Sequence, residues 1–114
     1  MEKKQTETQS PHGRRGSVAY LGSAAGQPGA AFKGFVDAIY ADPHLDPKTR
    51  ELVFVGVLTA QNFEAGIRAH VPRALAAGAS RDEIVATMMI SVVNGGAGGA
   101  LRFVPIVDEL VAGA

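Results

Sequence analysis

The chain has 114 residues, 11 basic against 11 acidic side chains, 46% hydrophobic residues, and neither cysteine nor tryptophan. That length holds one ordinary core and excludes a second domain, and the charge balance removes the basic footprint of a nucleic-acid binder. The lack of cysteine excludes disulfides, thiolate metal ligands and any CxxC centre within the chain itself.

Residues 1 to about 28 are rich in Gly, Gln, Lys and Pro and lack a periodic apolar stripe, which predicts a flexible arm with a short apolar patch at Val18, Tyr20 and Leu21. The arm shows no continuous apolar segment of an export signal. The longest apolar run, Leu52 to Ala60, is about half of the roughly 20 residues that span a bilayer, so a soluble, cytoplasmic protein without membrane contact is expected. The domain proper is placed at residues 29–114.

From Ala30 the pattern turns helical: Phe32, Phe35, Val36 and Ile39 share a face, and Asp42-Pro43 ends the segment because a residue before proline avoids the α region. Asp46-Pro47 reads as an N-cap with proline at the first helical position. A second helix then runs to about Gln61, with Leu52, Val55 and Thr59 on one face and Leu58 beside it. Asn62 is expected to cap a third helix carrying Phe63, Ile67, His70, Val71, Ala74 and Leu75, kinked at Pro72 and closed by Gly78. Ser80 and Glu83 form the S-x-x-E capping box of a fourth, with Ile84, Met88 and Val92 among its apolar positions. After the glycine-rich stretch 94–99, Ala100 to Val111 gives a last helix marked by Leu101, Val104, Val107 and Leu110.

The glycine cluster is not a dinucleotide loop, because a capped helix rather than a strand precedes it and the GxGxxG register is broken. Its small residues suit a sharp turn or a close approach of two helix backbones. His12, His44 and His70 show no metal-ligand spacing, so no metal is expected. His12 and His44 suit solvated surface roles. His70 falls on the apolar stripe, where it is either a core residue satisfied by one hydrogen bond or an acid/base group. Glu51 lies on the inward face of helix two with Val55 and Leu58, or at the surface near a helix N-terminus. A tight turn near Asn62 places residues 51 and 70 about eleven positions before it and about eight after, at similar heights for a rise of roughly 1.5 Å per residue. Glu51 and His70 are therefore expected to face each other in a partly buried pocket as a candidate acid/base pair. Arg68, Arg73 and Arg102 are candidate contacts for an acidic ligand, since a guanidinium grips a carboxylate through two parallel hydrogen bonds.

The segments Leu45-Asp46-Pro47-Lys48-Thr49-Arg50-Glu51, Arg68-Ala69-His70, Ala74 to Ala79, Ser80 to Ile84 and Gly95 to Leu101 together resemble the carboxymuconolactone decarboxylase and alkylhydroperoxidase D-like superfamily. The resemblance implies an all-α helical bundle of five to six helices built on an antiparallel hairpin, assembled as a homo-oligomeric trimer or hexamer. The redox branch carries a glutamate, a CxxC pair and a histidine three intervening residues further on. Glu51 and His70 keep that frame, whereas the two cysteine positions fall on Phe63 and Gly66. Without a thiolate, peroxidase chemistry is not expected unless a partner supplies a cysteine.

The decarboxylase branch lacks the cysteines and keeps a histidine at the position of His70. The resemblance to it implies cofactor-independent lyase chemistry on a small carboxylated lactone or keto acid, with His70 moving the proton and an arginine holding the carboxylate. The alternative is a non-catalytic oligomeric binding or scaffold protein on the same fold.

Overall fold

In the computed structural model, which describes residues 17–114, Ser17 opens the first helix by accepting a hydrogen bond from the Tyr20 N–H at 3.0 Å. The described residues form six α-helices and no strand: α1 (Val18–Ala24), α2 (Gly26–Ala41), α3 (Pro47–Ala60), α4 (Glu64–Ala76), α5 (Arg81–Gly95) and α6 (Gly98–Ala112). The all-α expectation therefore holds. Residues 18–24 and 26–28, read as part of an arm, are helical. His12 lies outside the described residues.

The contacts divide the chain at His44 and Leu45. In the first unit α1 packs on α2, with Gly26 (φ +65) turning the chain between them. Gly29 meets the Leu21 carbonyl so closely that a Cβ would overlap it. The stripe expected of α2 does not form a core: Phe32, Phe35 and Ile39 are exposed, Phe35 by 62%. Asp42 ends α2 in extended backbone ahead of Pro43, as the sequence requires.

The second unit contains α3 to α6 and holds the core of Val55, Ile67, Val71, Ala74, Ala79, Ile84, Met88, Phe103 and Val107. The starts of α3 and α5 follow their local signals. Asp46 accepts from the Thr49 N–H at 2.8 Å with Pro47 at the first turn, and Ser80 and Glu83 form a reciprocal capping box. Two ion pairs tie helix ends together, Lys48 to Glu83 at 2.8 Å and Arg81 to Asp108 at 2.9 Å.

Three local expectations are corrected. Asn62 does not cap α4, for Phe63 is the N-cap and makes no side-chain cap bond. Asn62 instead adopts φ +56 and terminates α3: its N–H donates to the Thr59 carbonyl, and the Phe63 N–H to that of Leu58. This is the left-handed closure that Asn tolerates better than most residues. Gly78 closes α4 the same way, as expected, with φ +100 and bonds from residues 78 and 79 to Leu75 and Ala74.

In α6 Leu101 is 78% exposed, and the inward residues are Gly99, Ala100, Phe103 and Val107. Three-residue steps drift by about 60° each, so the expected Leu101-Val104-Val107-Leu110 series spirals off the buried face. The third correction is Phe63, assigned to the inward stripe of α4 but half exposed at the helix entrance.

The glycine-rich stretch serves both structural purposes expected of it. Gly96 (φ +82) turns the chain between α5 and α6, while a Cβ on Gly95 would lie 2.8 Å from that of Ala60 and one on Gly99 would overlap the Thr59 carbonyl. Small residues thus let α5 and α6 approach the end of α3.

Candidate functional site

Glu51 stands one turn into α3, and residues at four-residue intervals along a helix share a face. Glu51, Val55 and Thr59 do so, and all three are buried. On α4, Ile67, Val71 and Ala74 define the inward face, and His70 lies at its edge with 19% of its side chain exposed. The left-handed Asn62 turn brings α4 back against α3. Across it, His70 Nδ1 and Glu51 Oε1 meet at 2.8 Å, nineteen residues apart in sequence.

This contact sets the chemistry of the imidazole. An ionised carboxylate only accepts hydrogen bonds, so Nδ1 carries the proton donated to Glu51 and Nε2 bears the lone pair in the neutral ring. Among the described residues Nε2 has no hydrogen-bond partner, and the ring retains surface in solvent. Glu51 is 3% exposed at its side chain, so solvent does little to loosen the pair. The arrangement is an oriented, single-nitrogen proton acceptor or donor.

Two further residues belong to this cluster and were not singled out from the sequence. Arg50 Nε lies 3.4 Å from Glu51 Oε2, the carboxylate oxygen that His70 does not use. Its side chain is 18% exposed. The Phe54 ring sits 4.9 Å from the imidazole centroid, tilted by 57°, and forms an apolar wall on the histidine. Phe54 is three residues beyond Glu51 and Arg50 is its neighbour, so adjacency to a suspected site residue was the available signal.

The arginines expected to bind a ligand lie differently. Arg68 bonds Glu64 at 2.9 Å and approaches Glu109 at 3.6 Å. Arg102 bonds Asn62 Oδ1 at 2.9 Å and Glu64 Oε1 at 3.0 Å, and its guanidinium stands 5.3 Å from the Phe103 ring centroid. Both therefore belong to a network around Glu64 whose side chains are 38–50% exposed. There the Arg68 hydrogen bond holds the Glu64 carboxyl below its ordinary range. Arg73 is exposed in the last turn of α4, three residues after His70. His44 is 86% exposed and contacts Asp42 at 2.6 Å. Among the described residues no group of three or more His, Asp or Glu side chains is arranged to hold a metal ion, and no helix is long and apolar enough to cross a membrane.

The family model for the carboxymuconolactone decarboxylase family matches residues 27–109. The chain belongs to that family. At Phe63 and Gly66, where the resemblance puts the two cysteines of the redox branch, neither residue carries sulfur. Phe63 is half exposed, and at Gly66 a Cβ would press into the Leu58 side chain. No curated protein and no solved structure matches the chain significantly.

Proposed function

We propose that this carboxymuconolactone decarboxylase family member performs cofactor-independent, lyase-type acid/base chemistry on a small carboxylated lactone or keto acid, with His70 and Glu51 at its centre. The observation that supports this reading is the 2.8 Å contact that commits Nδ1 to a buried carboxylate and leaves Nε2 for a substrate. In such a reaction the bond between the carboxylate and its carbon breaks and carbon dioxide leaves. The electron pair passes into the adjoining carbonyl system, and a proton that His70 Nε2 has first taken up from solvent is delivered to the carbon. Water restores the proton to the imidazole. Glu51 orients the ring and stabilises the imidazolium. Arg68, Arg73 and Arg102 remain candidate contacts for the acid. The proposed setting is the cytoplasm.

We further propose a homo-oligomer, trimeric or hexameric as the resemblance implies. Exposed apolar side chains support it, among them Phe35 at 62%, Ile90 at 71% and Val93 at 80%. A non-catalytic scaffold built from the same oligomer is the alternative. The test is turnover of a panel of carboxylated lactones and keto acids by the purified chain and by His70→Gln, with carbon dioxide release as the readout. Turnover abolished by His70→Gln supports the enzyme; a substrate whose turnover survives that change removes His70 from the mechanism. Binding without turnover across the panel favours the scaffold.

A further inference from the structure

The contact with Glu51 decides which nitrogen of His70 carries the proton, but it acts on one atom at the edge of the ring. We propose that Phe54 is a positioning residue that holds the plane of the imidazole, so that Glu51 and Phe54 together keep Nδ1 protonated and Nε2 as the lone-pair nitrogen. The inference rests on the acid/base reading above, because it names what keeps the proposed acid/base group in one orientation.

The torsion that sets a histidine's plane is broad and roughly two-fold, so the side chain has no sharply preferred plane of its own. A hydrogen bond also tolerates considerable misalignment before it weakens. A second restraint is therefore needed, and the Phe54 ring supplies a contact of the right kind. Its centroid lies 4.9 Å from that of the imidazole with a tilt of 57°, within the range of about 4.5–7 Å over which aromatic rings attract. That contact bears on the ring as a body.

Placement on one helix supports the same assignment. Glu51 and Phe54 stand three residues apart on α3, and residues at that spacing are neighbours on a helix surface. Their separation is set by the helix itself, so α4 brings His70 to both when it packs against α3.

Solvent gives the contact a further role. His70 is 19% exposed at its side chain and Glu51 only 3%, so water reaches the pair from the histidine side. An apolar ring packed on the imidazole reduces the room for a competing water and lowers the local dielectric, which strengthens the bond to Glu51.

The experiment records the ring nitrogen and Nδ1–H signals of the full chain, labelled with ¹⁵N, at a mildly alkaline pH where an ordinary imidazole is neutral. His44, 86% exposed, is the internal reference. The native chain is expected to show one His70 tautomer, protonated on Nδ1. Phe54→Leu keeps an apolar side chain without the ring and should give a mixture of tautomers, with Nδ1–H exchange faster by about threefold to tenfold, the factor an aromatic contact contributes. Phe54→Tyr restores the ring and should stay within about twofold of the native rate. If Phe54→Leu loses its cooperative urea transition, Phe54→Met takes its place with the same expectation.

A single tautomer and an unchanged exchange rate in the variant without the ring overturn the proposal. So does an equal disturbance in Phe54→Tyr, which would assign the effect to packing volume rather than to the ring. Either result alongside turnover that depends on His70 removes this inference alone. Turnover that survives His70→Gln removes the acid/base reading, whatever the tautomer does.

Discussion

Glu51 Oε1 and His70 Nδ1 lie 2.8 Å apart, one buried on α3 and the other at the edge of α4. Glu51→Gln keeps the volume but removes the charge that stabilises an imidazolium. It should lower kcat by about 10²-fold or more while costing about 1–2 kcal/mol of stability. Glu51→Leu removes the carboxylate that both His70 and Arg50 contact and should cost more, about 2–4 kcal/mol, since His70 retains some solvent. Urea denaturation and single-turnover kinetics separate the two effects. Equal stability of Glu51→Leu and the wild type would show that the pair contributes nothing to the fold.

The approach of α6 to α3 depends on Gly99, where a Cβ would overlap the Thr59 carbonyl. Backbone cannot yield as a flexible side chain does. Gly99→Ala should therefore destabilise by about 1–3 kcal/mol. Gly98→Ala, which meets nothing within 4 Å, is the control, and helix propensity should make it neutral or stabilising by up to about 1 kcal/mol. The difference between the two urea midpoints is the measurement.

Ser80 and Glu83 satisfy each other's backbone N–H groups at the start of α5. Ser80→Ala should cost about 1 kcal/mol, and the further loss on adding Glu83→Ala should be smaller than the single Glu83→Ala effect, because the box is reciprocal. Additive losses in this double-mutant cycle would contradict that coupling.

Several carboxyl groups sit below their ordinary values of 3.8 for Asp and 4.5 for Glu. The Thr49 N–H lowers Asp46, Lys48 lowers Glu83, and Arg81 lowers Asp108. A carboxyl held lower in the folded chain binds fewer protons than in the unfolded one, so stability gains from these groups above the ordinary values and loses that gain as pH falls through the lowered ones. Thermal midpoints should be level for these groups from neutral pH to about 5 and fall below about 4. Since the groups are exposed, added salt should flatten the fall. A midpoint that rises as pH drops from 4 to 3 would reverse the sign.

With no cysteine in the chain, hydroperoxide reduction by a dithiol donor should not rise above the uncatalysed rate. Turnover by protein free of metal and contaminating peroxidase would refute this.

What the sequence by itself determined was carried by signals a few residues wide. Asp46-Pro47, Ser80 with Glu83, and Gly78 mark helix ends through bonds between near neighbours, and the tertiary structure leaves those bonds intact. The nineteen-residue interval from Glu51 to His70 was also legible, because helix rise and a single turn fix which residues can meet across a hairpin.

Other features were decided only when the helices packed. Asn62 has the composition of an N-cap, yet closing α3 and accepting from Arg102, forty residues away, draws it into the left-handed region instead. Leu101 shows the pattern of a core residue, but the approach of Gly99 to Thr59 fixes the rotation of α6 and turns Leu101 to the outside. Arg50 and Phe54 join the site for the same reason. Their neighbourhood to Glu51 is local, whereas their contacts within one cluster depend on where α4 places His70, and that is set by burial across the whole second unit rather than by any short stretch of sequence.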